Sequence, residues 1–207
     1  MKIICHGDSL TQGSDMAKPC TWTALLGNRL NTPVVNTGIS GDTTAGMLAR
    51  FAVDVVPQKP GVVILMGGTN DLWYDLEVNL ILANLSAMVN QAKFHEIAPV
   101  IGLPLPICVD QVHRMDWAPP AKGYDYLFDR IRKLVEHLTA EAAAWEVPVL
   151  DFFHLFLDDH AMEMAAWFLA DGVHPSKPGH RAMADLGARV LEKRATHTRF
   201  SAPPWHI

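Results

Sequence analysis

Close to the start of the chain, "HGDSLTQG" at 6–13 follows three apolar residues, Ile3, Ile4 and Cys5. A serine on a tight turn at the end of a strand is well placed to act as a nucleophile. To do so it needs a base to take its proton, and the base needs a partner to hold its tautomer. "DGVHP" at 171–175 can supply both within one loop constrained by Gly172 and Pro175: His174 as the base, Asp171 as the carboxylate that orients it. The oxyanion that develops on attack then needs donors. The backbone N–H of Ser9, the N–H of Gly41 in "NTGISGD" (36–42) and the side-chain amide of Asn70 in "GGTND" (67–71) are each carried by a glycine-bearing block. A carboxamide donates without carrying charge, and a glycine lets backbone approach a substrate closely. One such donor contributes roughly 3–4 kcal/mol to the transition state. The chemistry these residue types could do together is nucleophilic attack by Ser9 with stabilisation of the oxyanion that forms.

Each residue also has a plainer reading. A lone Ser9 would serve as a turn or helix-cap serine, and Gly41 and Asn70 as turn residues. Asp8 and Asp71 read as structural, with Asp8 capping backbone donors, and Asp42 or Thr43 starts a helix. Asp-x-x-His occurs three times, as Asp110/His113, Asp151/His154 and Asp171/His174, so the spacing alone does not pick the pair. His154 lies in the aromatic stretch "FFHLF" and reads as packing, while Asp110/His113 in a long loop is an outside candidate. His154, Asp158 and His160 could be drawn together around a metal, but the patch reads as a polar helix start; no metal and no cofactor is expected.

The elements that must position these groups follow from hydrophobic period. Short apolar runs at 2–5, 33–38, 61–68, 98–106 and 147–153 read as strands, with "GVVILMGG" the continuous run of a central parallel strand. Helical spacing covers 21–30, 43–56, 76–95, 123–146 and 177–194, and residues 107–122 are irregular. Five alternations at short spacing predict an α/β fold of three layers, α/β/α and flavodoxin-like, with a five-stranded parallel sheet in the order 2-1-3-4-5. In that order strand one lies between strands two and three, and ligands bind outside the carboxyl ends where the strand order reverses. Ser9 would then sit between the Gly41 and Asn70 blocks. One domain over 1–195 is expected, with 196–207 an aperiodic tail.

"GDSL" at 7–10, "GISGD" at 38–42, "GTND" at 68–71 and "DGVHP" at 171–175 resemble, in order, the four blocks of the SGNH or GDSL hydrolase family. The resemblance implies a flavodoxin-like fold and hydrolysis of esters or thioesters. It gives Ser9 as nucleophile, Gly41 and Asn70 as oxyanion donors, and Asp171 and His174 as the rest of a triad. It also implies a range of substrates, from aryl esters and thioesters to lysophospholipids and O-acetylated carbohydrates. The other class of reading is a non-catalytic flavodoxin-like binding domain that keeps the blocks as loop architecture; no G-x-G-x-x-G or Walker pattern follows the first strand. For the substrate pocket, Trp73 and Tyr74 just after Asn70 either line the acyl site or cover the sheet edge. Met115 and Trp117, in the loop closed by Pro119 and Pro120, read as a wall of that pocket together with Trp73.

Composition narrows the partners. The 207 residues are 49% hydrophobic and carry a net charge of −5, with no run of Lys or Arg, which argues against nucleic acid or an anionic membrane as partner. The expected partner is a small-molecule ester. Cys5, Cys20 and Cys108 form neither a disulfide framework nor a zinc pattern, and Cys5 reads as a small core hydrophobe. A cytoplasmic location is expected from the cysteines and from the short apolar runs.

Overall fold

A computed structural model describes residues 2–158 and 164–197. In chain order the elements are β1 (Ile3–Gly7), α1 (Ser9–Gln12), α2 (Trp22–Leu30), β2 (Val34–Asn36), α3 (Thr44–Asp54), β3 (Val62–Met66) and α4 (Thr69–Trp73). They continue with α5 (Val78–Phe94), β4 (Ala98–Gly102), α6 (Val109–Val112), α7 (Tyr124–Ala144), β5 (Val149–Leu150), α8 (Phe152–Asp158) and α9 (Lys177–His197). The five strands form one parallel sheet in the order β2-β1-β3-β4-β5, as expected. Register aligns Gly7, the last residue of β1, with Met66, the last of β3, so the turns that follow both strands leave the sheet at the same level.

Strand alternation divides the interior into two cores. Ile4, Val63, Leu65 and Ile101 face α3, α5 and α7, meeting Phe51, Leu85, Met88, Ile131 and Leu134. Ile3, Cys5, Val62, Ile64, Met66 and Val100 face the other way, against Trp22, Leu26, Phe152, Phe156 and Met183 of α2, α8 and α9. Both faces of the central strands are therefore covered, which is why β1 and β3 read as unbroken apolar runs rather than alternating ones. Cys5 is fully buried, and that burial pushes its thiol far up from its ordinary value, so it behaves as the hydrophobe its position implied.

Boundaries moved where polar residues compete for the backbone. The fifth strand is only Val149–Leu150, because Asp151 Oδ1 accepts the His154 N–H at 3.0 Å and starts α8 where a strand through 153 was expected. Thr43, not Asp42, caps α3, accepting from Gly46 N. The loop at 107–122 contains the single helical turn α6. The last helix runs on to His197, three residues past its expected end, and residues 198–207 of the tail lie outside the described residues. Among the described residues no helix is long and apolar enough to cross a membrane.

Candidate active site

Four loops meet over the carboxyl edge of the sheet. Asp8 follows β1 and caps α1, its Oδ1 accepting the Leu10 N–H at 2.9 Å, so that Ser9 opens a single helical turn. The plain expectation of Asp8 as a cap holds, and it relieves Ser9 of that duty. Ser9 lines a cleft of about 220 Å³ together with Gly41, Asn70, Trp73, Tyr74, Trp117 and His174. Asp171 stands behind the histidine, and Met115 is not among the lining residues.

The 171–175 loop is built to hold its histidine. Asp171 Oδ1 accepts the N–H groups of Val173 at 2.8 Å and His174 at 2.9 Å, while Oδ2 lies 2.8 Å from His174 Nδ1. Gly172 adopts φ +71°, and a Cβ there would come within 2.6 Å of the Cys108 carbonyl. Only glycine allows that left-handed turn to press against α6. Burial raises the Asp171 carboxyl, but the His174 ring and the two backbone N–H groups outweigh it and hold the group below its ordinary value of 3.8. An ionised Asp171 accepts a hydrogen bond from Nδ1–H, which leaves His174 Nε2 as the basic nitrogen.

Gly41 and Asn70, the residues expected to act as donors, border the same cleft. Gly41 has φ +79°, a conformation that suits glycine, and nothing stands within 4 Å of where its Cβ would be. Asn70 sits in α4, and its Nδ2 donates to the Asp42 carbonyl at 2.8 Å. That bond uses one amide hydrogen and fixes the plane of the other. Next to Asn70, Asp71 is fully buried and accepts from Thr44 N at 2.9 Å and Thr44 Oγ1 at 2.6 Å, which ties α4 to the start of α3.

The aromatic wall is a stack of edge contacts. Trp73 packs edge-on against Trp117 at 6.1 Å and Tyr124 at 5.6 Å between centroids. Tyr74 is two-thirds exposed at the rim. Arg130 of α7 clamps the turn beneath this wall, donating to the Leu76 carbonyl at 2.6 Å and pairing with Asp75 at 3.1 Å, and Lys122 pairs with the same Asp75 at 2.9 Å.

The other Asp-x-x-His pairs lie elsewhere. His154 Nδ1 meets Asp151 Oδ2 at 2.8 Å, the same separation as in the 171–174 loop, but both side chains are about half exposed and neither lines the cleft that holds Ser9. His113 is exposed and faces Asp125 at 3.9 Å. Of the metal alternative, the Asp158 side chain and His160 lie outside the described residues. Sequence reading did not single out Asp15, an exposed residue whose carboxylate comes within 4.8 Å of ligand-type atoms of Asp171 and His174. It also missed Arg50, whose side chain is 16% exposed and sits beneath the Gly41 loop.

A family model described as the GDSL-like lipase/acylhydrolase family matches residues 5–182. The chain is 28% identical to an arylesterase of Vibrio mimicus, over 93% of this chain and 88% of that protein. It is 27% identical to thioesterase 1/protease 1/lysophospholipase L1 of Escherichia coli K12, over 94% and 85%. Among solved structures, a member of the lipolytic protein G-D-S-L family from Veillonella parvula superposes with a TM-score of 0.74 at 28% identity, covering 93% of this chain and 99% of that one.

Proposed function

The chain belongs to the GDSL-like lipase/acylhydrolase family, and on that premise we propose that it cleaves carboxylic esters through an acyl-enzyme on Ser9. Ser9 Oγ attacks the ester carbonyl while His174 Nε2 takes the hydroxyl proton, with Asp171 holding Nδ1–H and stabilising the imidazolium that forms. The carbonyl oxygen, now an oxyanion, receives hydrogen bonds from the N–H of Ser9, the N–H of Gly41 and the Asn70 amide. Collapse expels the alkoxide, which takes the proton from His174. Water then repeats the sequence on the acyl-enzyme, giving the acid and free Ser9.

The observation that carries this reading is the 2.8 Å contact between His174 Nδ1 and Asp171 Oδ2 on a histidine that lines the same cleft as Ser9, Gly41 and Asn70. The steps are indifferent to the leaving group, so the reading extends to thioesters, lysophospholipids and O-acetylated carbohydrates. Hydrolysis of p-nitrophenyl acetate, with organophosphonate labelling located by peptide mass, tests it. Ser9→Ala should lose both label and nearly all turnover while keeping the wild-type melting curve. Turnover near the wild-type rate in Ser9→Ala would overturn the assignment of Ser9 as the nucleophile.

A further inference from the structure

Two of the four loops at the cleft converge on one guanidinium, and a third, the Asn70 block, is tied to it through Asp42. Arg50, in α3, donates from Nη2 to the Gly7 carbonyl at 2.8 Å, from Nη1 to the Thr37 carbonyl at 2.6 Å, and from Nε to Asp42 Oδ2 at 2.7 Å. Gly7 ends the strand that delivers Ser9. Thr37 and Asp42 bracket the loop that carries Gly41. Asp42 also turns its backbone carbonyl to Asn70 Nδ2 at 2.8 Å, so the residue that grips Arg50 with its carboxylate orients the Asn70 amide with its main chain. The Gly7 carbonyl additionally accepts the Ile39 N–H at 3.0 Å, which hangs the same loop from the same atom.

The helix is cut to allow this. Asp42, Gly46, Arg50 and Asp54 follow one another at intervals of four, along one face of α3 and the two residues before it. A Cβ on Gly46 would collide with the Asp42 carboxylate, so the glycine clears the path by which Asp42 reaches Arg50. From the other side Asp54 Oδ2 holds Nη1 at 2.9 Å, and the buried His6 contributes Nδ1 at 3.2 Å. An exposed ion pair contributes little. Here the planar fork, with five donors in fixed directions, spans acceptors on β1, the 37–42 loop and α3 at once, which a lysine's single ammonium cannot do.

We infer that Arg50 is a positioning residue for the oxyanion hole: through Gly7, Thr37 and Asp42 it sets the N–H of Gly41 and the amide of Asn70 against Ser9. The inference rests on the reading of Ser9, Gly41 and Asn70 given above. Because oxyanion donors act on the transition state, loosening them lowers kcat and leaves KM alone. Because Arg50 acts partly through Asn70, its effect shrinks once Asn70 is gone.

The test measures kcat and KM per phosphonate-titrated site in Arg50→Lys, Asn70→Ala and the double variant, with melting curves. Arg50→Lys should lose about tenfold or more in kcat with KM within about twofold, and should add less than about threefold to the loss in Asn70→Ala. Guanidinium chloride at low millimolar concentration should partly restore Arg50→Ala, a rescue that repair of bulk stability would not give. If Arg50→Lys and Arg50→Ala do not fold, Asp42→Asn weakens the Nε arm alone and should lower kcat several-fold. Wild-type kcat per titrated site in Arg50→Lys or Asp42→Asn, or losses that simply multiply in the double variant, would overturn the inference. If Asn70→Ala alone keeps the wild-type kcat, the Asn70 donor assignment fails instead, and a slow Arg50→Lys then acts through Gly41.

Discussion

His174 Nδ1 lies 2.8 Å from Asp171 Oδ2, and His154 Nδ1 lies 2.8 Å from Asp151 Oδ2. The two pairs share spacing and contact. They differ in surroundings: the first pair's side chains are 14% and 10% exposed, the second's 52% and 45%. Only the first borders the cleft that holds Ser9. The outer pair does not line that cleft, so it is not placed to take the Ser9 proton. His174→Ala should therefore cost at least about 10³-fold in kcat, and His154→Ala should stay within about twofold of wild type. Asp171→Asn should keep the fold and lower kcat by about 10²-fold or more, since the useful tautomer is lost. Steady-state kinetics on p-nitrophenyl acetate checks all three, and a dead His154→Ala with an active His174→Ala would move the base to α8.

Asn70 and Gly41 should fail in different ways. Asn70→Ala removes a fixed amide and should lower kcat by roughly 10²-fold with KM little changed. Gly41→Ala meets no neighbour within 4 Å, but its φ of +79° is costly for alanine, by about 1 kcal/mol or more. Relief of that strain swings the N–H, so kcat falls while the melting temperature drops by a few degrees. A Gly41→Ala protein with wild-type kcat would place its N–H outside the oxyanion hole.

The sheet order was legible because β1 and β3 are continuous apolar runs bounded by glycine blocks, a pattern that only a doubly covered parallel strand requires. The blocks that line the cleft were legible for a related reason: turns at strand ends cannot hide their polar residues. Four short helices were not, α6 within the expected irregular stretch among them. Ser9–Gln12, Thr69–Trp73 and Phe152–Asp158 are 4, 5 and 7 residues long, too short to show a period, and depend on local caps such as Asp8. Arg50 was missed because it reads as an ordinary exposed position of an amphipathic helix. The signal lay in the spacing of Asp42, Gly46, Arg50 and Asp54, which means something only once the Gly41 loop is known to lie above that face.

Trp117 leans edge-on against Trp73 at 6.1 Å, and both line the cleft. Pocket walls of this kind tune which acyl or alcohol group fits, at about 1–3 kcal/mol per methylene contact. Trp117→Ala should change the ratio of kcat/KM for acetate against octanoate esters several-fold. Met115, which does not border the cleft, should give an unchanged ratio when replaced by Ala. An unchanged ratio in a stably folded Trp117→Ala would leave chain-length preference to Trp73 and Tyr74.

Stability should depend on pH through three buried groups pulling in opposite directions. His180 is fully buried, its Nδ1 accepting the Trp22 N–H at 3.0 Å, and burial lowers it from 6.5 to about 4. His6 is also fully buried; burial, aided by the Arg50 guanidinium, lowers it from 6.5 to about 4 against the bond from its ring to the Met47 carbonyl. Asp8 moves the other way, raised by burial from 3.8 to about 7. Between pH 4 and 6.5 the unfolded chain thus carries two histidine protons the folded chain lacks, and the folded chain carries one carboxyl proton the unfolded chain lacks. The unfolded state binds about one proton more, so stability falls as pH falls, by about 1.4 kcal/mol per pH unit. Urea midpoints between pH 6.5 and 5 measure the slope. His180→Gln leaves one histidine against one carboxyl and should flatten it. Asp8→Asn removes the opposing carboxyl and should roughly double it. If neither variant changes the slope, these buried groups do not govern the acid sensitivity of the fold.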